Sequence, residues 1–335
     1  MVGTGGIGSG SFFQVSGNET LGREESRAGR FLHRRDFCKL HIISHYVKVL
    51  MGDLIGVFPI GRVGDDAAGA LLLREMAEVG MDMRFARALD GVPTLSSFCL
   101  LYPDGSGGNL TTEDSASSRL GPDDVAEADE VMRGLGGHGI ALAVPEVPLP
   151  ARVALLRAAS RHGLFRAASF TRAEMGQAVR SGFLDTVDLL AVNAGELFAA
   201  AGLPEGPADP GAVEQAVATV RARHPRLMLS VTAGRGGSWS WDGDALRHCA
   251  ARKVEALGTA GAGDAHLAGI LCGLASGLAL AAAQELGTIL AGASVQSPDT
   301  INGQIDASTL LAVGGAGDPV SVQVQALLDS AMTAP

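Results

Sequence analysis

Residues Gly258-Thr259-Ala260-Gly261-Ala262-Gly263-Asp264 run from small side chains straight into an acid, and an amphipathic helical pattern follows from His266 to Ser276. That order can hold a phosphate beside a base. Gly261, Ala262 and Gly263 leave little side chain to obstruct a polyphosphate, and the first N–H groups of the following helix lack intrahelical partners at the positive end of its dipole. A carboxylate at Asp264 then suits phosphoryl transfer, in which the protein positions the reactants, stabilises charge and takes one proton. The same residues also satisfy a plainer reading, a helix start with a favourable acid in its first turn.

Three further segments lie upstream. Gly61-Arg62-Val63-Gly64-Asp65-Asp66-Ala67-Ala68-Gly69 and Val231-Thr232-Ala233-Gly234-Arg235-Gly236-Gly237 are glycine-rich turns beside apolar runs, and Asn193-Ala194-Gly195-Glu196 sets an acid three residues after an amide. The last fits a capping box as readily as a metal-ordering pair. Taken in order with the first, these segments resemble the signatures of the ribokinase-like sugar kinases, the phosphofructokinase B family, over about residues 50–300. The resemblance implies that Asp264 is the catalytic base and that Gly261, Ala262 and Gly263 form the anion hole. It implies that Asn193 and Glu196 order Mg²⁺ and its waters, and that Thr232, Gly234 and Gly236 line ATP with Thr288 near the nucleotide base. Glu146, in Val144-Pro145-Glu146-Val147-Pro148, falls where the family has a substrate-contacting glutamate, although a solvated loop acid fits the same residues.

The departures lie in the acceptor half. Gly258 replaces the first Asp of the family's D-T-x-G-A-G-D, which puts a monovalent-cation site in doubt. The family's sugar-binding Asp on the first strand and its G-G-x-x-x-N segment are not found; Gly3–Gly10 and a helical-looking run, Arg34–Tyr46, stand there instead. Replacing hydroxyl-binding groups should change the substrate. Acceptor candidates are Asn18, Arg23, Glu24, Glu25 and Arg27, together with Lys39, His41 and His45. The two histidines are four apart, but with no neighbouring third ligand they read better as packed or surface side chains than as metal ligands.

The elements that must position these residues alternate. Leu54–Ile60, Ile140–Val144, Leu189–Val192 and Leu227–Thr232 read as strands, and Ala67–Val79, Leu149–His162 and Gly195–Ala201 as helices. This pattern predicts an α/β fold with a mostly parallel sheet covered on both faces, its ligands beyond the carboxyl ends of the strands. The resemblance makes it a ribokinase-like three-layer sandwich, a single domain over residues 1–335 with a small β lid built from about 11–30 and 82–112. Ser96–Tyr102 followed by Pro103-Asp104-Gly105 reads as a hairpin in that lid. A lid of this kind would exclude water and, by resemblance, offer a homodimer surface.

Gly3-Thr4-Gly5-Gly6-Ile7-Gly8 fits a dinucleotide fingerprint, but a strand-like run, Ser11–Val15, follows where that motif needs a helix. With 335 residues, 47% hydrophobic content, a net charge of −10 and scattered basic residues, the chain carries no nucleic-acid footprint. Cys38, Cys99, Cys249 and Cys272 are far apart and no signal sequence is read, so a cytoplasmic setting is expected. Leu267–Ala293 is apolar but interrupted, and reads as two packed helices, not a membrane span. The expectation is an ATP- and Mg²⁺-dependent kinase acting on a hydroxyl of a sugar-like acceptor. A nucleoside kinase of the same family, with Phe12, Phe13 or Phe98 stacking on a base, and a nucleotide-binding regulator without turnover remain open.

Overall fold

The structure is a computed structural model that describes residues 1–317 and 319–333. In chain order the strands are β1 (Val2–Thr4), β2 (Gly8–Val15), β3 (Gly29–Phe37), β4 (Phe58–Gly64), β5 (Ala86–Leu89), β6 (Leu95–Leu101), β7 (Gly107–Thr111), β8 (Ile140–Ala143), β9 (Phe165–Ala168), β10 (Leu189–Asn193), β11 (Met228–Thr232), β12 (Ser238–Trp241) and β13 (Leu246–Cys249). The helices are α1 (Lys39–Met51), α2 (Ala67–Glu78), α3 (Pro122–Ala126), α4 (Asp129–Leu135), α5 (Leu149–Arg161), α6 (Arg172–Arg180), α7 (Ala194–Ala201), α8 (Pro210–Arg223), α9 (Ala262–Ala275), α10 (Leu280–Ser294), α11 (Ala307–Gly314) and α12 (Val322–Thr333).

Nine strands form one sheet in the order β13-β12-β11-β10-β9-β8-β1-β4-β5. It is parallel from β11 to β5 and turns antiparallel only at β12 and β13. Ile140-Ala141-Leu142-Ala143 is buried along its whole length, because a parallel strand covered on both faces needs no polar side. One apolar cluster collects α3, α5, α6, α7 and α8 on one face of the sheet, and a second collects α1, α2, α9, α10 and α11 on the other. The result is the three-layer α/β/α sandwich that the alternation of elements foretold. The apolar stretch around Leu267–Ala293 is α9 packed against α10, and no helix among the described residues is long and apolar enough to cross a membrane.

The second sheet has four strands in the order β3-β2-β6-β7. The expected hairpin is there, with β6 antiparallel to β7. The segment 82–112 is divided between the sheets, since β5 pairs with β4 at the edge of the large one. Two boundaries differ from the sequence reading. Arg34–Tyr46 is not one helix: Gly29–Phe37 is a strand paired with β2, and α1 begins only at Lys39. A partner strand supplies the backbone hydrogen bonds, and that partner is invisible to local pattern. Likewise the strand expected at Leu54–Ile60 lies at Phe58–Gly64, because a 3₁₀ turn at Gly52–Leu54 closes α1 first. After the Gly3–Gly8 run comes β2, a strand and not the helix a dinucleotide fingerprint requires.

Candidate active site

The carboxyl ends of β9, β10 and β11 open onto a small cavity of about 70 Å³, lined by Lys39, Ser169, Asn193, Glu196, Ser230, Thr232, Gly263, Asp264 and His266 among others. Helix α9 presents its N-terminus there. Gly261 precedes it at φ +80°, in the left-handed region, and a β-carbon on it would lie 2.7 Å from the carbonyl oxygen of Thr300. No side chain caps α9; the Ala262 N–H donates to the Thr259 carbonyl at 3.3 Å, and the N–H groups just after it are left to an anion. A β-carbon on Gly263 would lie 3.8 Å from Thr232 Oγ1, so β11 and the start of α9 form the two walls of one slot.

Asp264 is only 14% exposed and accepts a hydrogen bond from Lys39 Nζ at 3.2 Å. Lys39 opens α1, and its backbone N–H donates to Glu146 Oε2 at 3.3 Å. Asp264, with Glu146 and Glu196 behind it, holds the Lys39 ammonium firmly protonated. Glu146 adopts φ +76°, the one positive φ outside glycine among the described residues. A residue kept in that conformation is over-determined by its surroundings, which favours a site role for Glu146 over a loose loop acid. Gly6 makes room for it, since a β-carbon there would lie 2.8 Å from Glu146 Oε2. The glycines that imitate a dinucleotide fingerprint thus seat a carboxylate.

Burial pushes the Glu146 carboxyl up from 4.5 to about 7. Between those values the folded chain holds a proton that the unfolded chain releases. The stability this adds is fully present below about pH 4.5 and disappears as pH rises through about 7. Glu146→Gln is therefore expected to raise Tm at pH 8 by roughly 2–5 °C and to leave it nearly unchanged at pH 5. Calorimetry at both pH values checks this.

Asn193 and Glu196 form a reciprocal capping box on α7: Asn193 Oδ1 accepts from the Glu196 N–H, and Glu196 Oε2 accepts from the Asn193 N–H, both at 2.9 Å. The structural role that the sequence left open is therefore occupied, and Glu196 Oε1 is the oxygen that remains for a ligand. Burial raises the Glu196 pKa above its usual value. No group of three His, Cys, Asp or Glu among the described residues could hold a metal by itself. One or two carboxylates nonetheless suit Mg²⁺ arriving with a polyphosphate, since that ion keeps much of its water.

Other expected residues lie outside the cavity lining. Gly234 and Gly236 lie in an exposed turn just beyond Thr232, outside the cavity lining. Thr288 is buried, its hydroxyl bonded to Gln284 O at 3.0 Å and paired with Ser238 Oγ at 3.1 Å. That hydroxyl serves the contact between α10 and β12. Asn18 and Arg23 sit in the exposed loop joining β2 to β3, where Asn18 Oδ1 accepts from the Asp104 N–H at the hairpin tip. Neither lines the cavity, and Glu24, Glu25 and Arg27 share that loop, with Glu25 and Arg27 paired to each other. His41 is packed edge-on against Phe37 at 4.6 Å and pushed down to about 3 by burial, and burial takes His45 to about 4. Both read as packed side chains.

Several site residues gave no sequence signal. His266, two residues after Asp264 in α9, is 2% exposed, and burial keeps it neutral with a pKa of about 4. Its Nε2 and the Ser169 hydroxyl have no protein hydrogen-bond partner, so the cavity floor is polar. The loop after α10 ties the lid to the start of α9. Asp299 Oδ1 accepts from the Arg35 N–H at 2.7 Å, Thr300 Oγ1 accepts from the Phe37 N–H at 3.0 Å, and Gly261 rests on Thr300. Asp36 is buried in the lid and accepts from Ser97 Oγ at 2.6 Å across Gly10. Phe13, Phe31 and Phe98 cluster on the opposite face of that sheet, with centroids 5.1–6.1 Å apart, while Phe12 is buried.

Comparison with known proteins agrees with this geometry. The chain is 27% identical over 237 residues to the fructoselysine 6-kinases of Shigella flexneri and of Escherichia coli (strain K12), an alignment spanning 70% of this chain and 80% of theirs. Its fold superposes on ribokinase from Cryptococcus neoformans in complex with ADP, with a TM-score of 0.74, 19% identity and 98% of both chains covered. It also superposes on adenosine kinase from Sinorhizobium meliloti, with a TM-score of 0.72, 21% identity and coverage of 94% of this chain and 99% of that one. Residues 47–307 match the family model described as pfkB family carbohydrate kinase, and the chain belongs to that family.

Proposed function

We propose that the protein transfers the γ-phosphate of ATP to a hydroxyl of a small sugar-like acceptor, with Asp264 as general base. The observation that carries this reading is the convergence of an uncapped helix N-terminus, a shielded aspartate and the strained Glu146 at the joint between the sheets. The polyphosphate would lie in the slot between Thr232 and Gly261–Gly263, where the leading N–H groups of α9 meet its charge. The acceptor would sit between Asp264 and Glu146, under the lid. Its hydroxyl donates a hydrogen bond to Asp264, which takes the proton as the oxygen attacks the γ-phosphorus and the bond to the β-phosphate oxygen breaks. Glu196 would hold a magnesium ion, directly or through water, which supplies charge neutralisation at the phosphates. The latch from β3 through Thr300 to Gly261 couples lid position to the anion slot, so closure would also exclude water from the reacting groups.

The curated relatives are fructoselysine kinases, so the acceptor panel includes sugar–amine adducts beside pentoses, hexoses, sugar phosphates, polyols and nucleosides. ADP release with Mg·ATP on a carbohydrate member supports the reading. Release only on nucleosides moves the acceptor to that class, and tight ATP binding without turnover on any member favours a regulator. The aromatic cluster leaves Phe31 and Leu110 exposed, and this is the surface that a lid-mediated homodimer would cover.

A further inference from the structure

Among the described residues, Lys39 is the one lysine or arginine lining the cavity. Its side chain is 34% exposed, it reaches Asp264 Oδ1 at 3.2 Å, and among the described residues that carboxylate is the only side-chain or backbone acceptor its ammonium contacts. Two of its three N–H donors remain for a ligand. A partly exposed pair of this kind adds little to stability, too little to explain a lysine set on the proposed base.

The reaction does ask for a cation at this point. Phosphoryl transfer spreads negative charge over three equatorial oxygens, and the Gly258–Gly263 loop brings no cationic side chain to meet it. The acceptor oxygen must come within about 2.6–3.2 Å of Asp264, and the phosphorus within about 3–3.5 Å of that oxygen. An ammonium hydrogen-bonded to the same carboxylate is thus within a change of rotamer of the equatorial oxygens.

We infer that Lys39 is a catalytic residue, whose ammonium turns from Asp264 to the transferring phosphoryl group when ATP binds. This rests on the ATP-dependent kinase reading above. The move does two things at once: it neutralises charge on the γ-phosphoryl oxygens, and it releases a lone pair of Asp264 for the acceptor's proton. Lys39 stays protonated throughout. The acceptor O–H proton goes to Asp264, the new O–P bond forms, the bond from γ-phosphorus to the β-phosphate oxygen breaks, and its electron pair leaves with ADP.

The experiment is calorimetric titration of wild type, Lys39→Met and Lys39→Arg, with acceptor absent, using Mg²⁺ with ADP and Mg²⁺ with an ATP analogue whose β–γ bridge is methylene. Steady-state rates on the best acceptor of the panel accompany it. Expected is a loss of tenfold or more in analogue affinity for Lys39→Met, ADP affinity within twofold of wild type, and partial recovery in Lys39→Arg. The kcat of Lys39→Met should fall by about 10²–10³, with acceptor KM within about threefold. Equal loss for both nucleotides, or unchanged nucleotide affinity with a raised acceptor KM, overturns the proposal, the latter marking Lys39 as an acceptor contact. A lower Tm with all affinities intact reduces it to a brace and also overturns it. Should Lys39→Met fail to fold, Lys39→Gln carries the same comparison. Wild type that binds neither nucleotide overturns the kinase reading as well, an outcome distinct from wild type that binds both and a variant that does not discriminate.

Discussion

Asp264→Asn is expected to lower kcat by about 10²–10⁴, with ADP affinity changed less than about threefold. The asparagine keeps the size of the side chain and its place in the first turn of α9, so the anion slot is preserved while the proton acceptor is lost. The two measurements separate these roles. Steady-state rates on the acceptor found by the panel report the base, and nucleotide titration reports the slot. Since the amide no longer balances the Lys39 ammonium, affinity for the ATP analogue should hold or rise. A fall in rate with equal weakening of both nucleotides would instead mean that Asp264 serves the fold of the loop. A rate within a few-fold of wild type would remove Asp264 from the reaction.

Arg152→Met should cost about 3–5 kcal/mol of stability, a large share of the roughly 5–15 kcal/mol that holds a domain together. The Arg152 side chain is 0% exposed; Nη1 donates to Glu174 Oε1 at 2.8 Å, Nη2 donates to the carbonyl of Ser169, and Cζ lies 4.6 Å from the centroid of Phe170. Removing the guanidinium leaves Glu174 half-buried beside an unpaired carbonyl, and Glu174 also closes the capping box of α6 with Thr171. Ser169 and Phe170 line the cavity, so the loss should reach the site as well. Urea denaturation of Arg152→Met, Glu174→Gln and the double variant checks this. The double should recover part of the single loss, because the cost lies mainly in the charge left behind. Strict additivity would show that the pair does not act as a unit.

The donor side of the molecule could be read along the chain because its signals are local. A small-residue run followed by an acid and a helix can make an anion slot out of consecutive residues, and Gly263 and Asp264 line the cavity from the start of α9. The alternation of apolar runs and helical patterns fixed a parallel sheet covered on both faces, since period and length are properties of neighbouring residues. Asn193 and Glu196 carried both of their readings in the sequence, and the capping box is realised.

Where Asn18, Arg23 and Thr288 would lie depended on contacts between distant segments, so no pattern could place them. Asn18 meets the tip of the hairpin at Asp104, and Thr288 meets Ser238 across α10 and β12. The strand at Gly29–Phe37 was hidden for the same reason: its hydrogen bonds come from β2, and residue periodicity alone favoured helix. Lys39 with Asp264, 225 residues apart, and the Thr300 latch, 263 residues from Phe37, exist only once the two sheets meet. Sequence by itself determined the layer architecture and the small-residue entry into α9, because periodicity, small side chains and an uncapped helix start act over a few residues. Only the tertiary structure decided which charges face each other in the cleft, because electrostatic pairing follows distance in space, and that distance is set by packing.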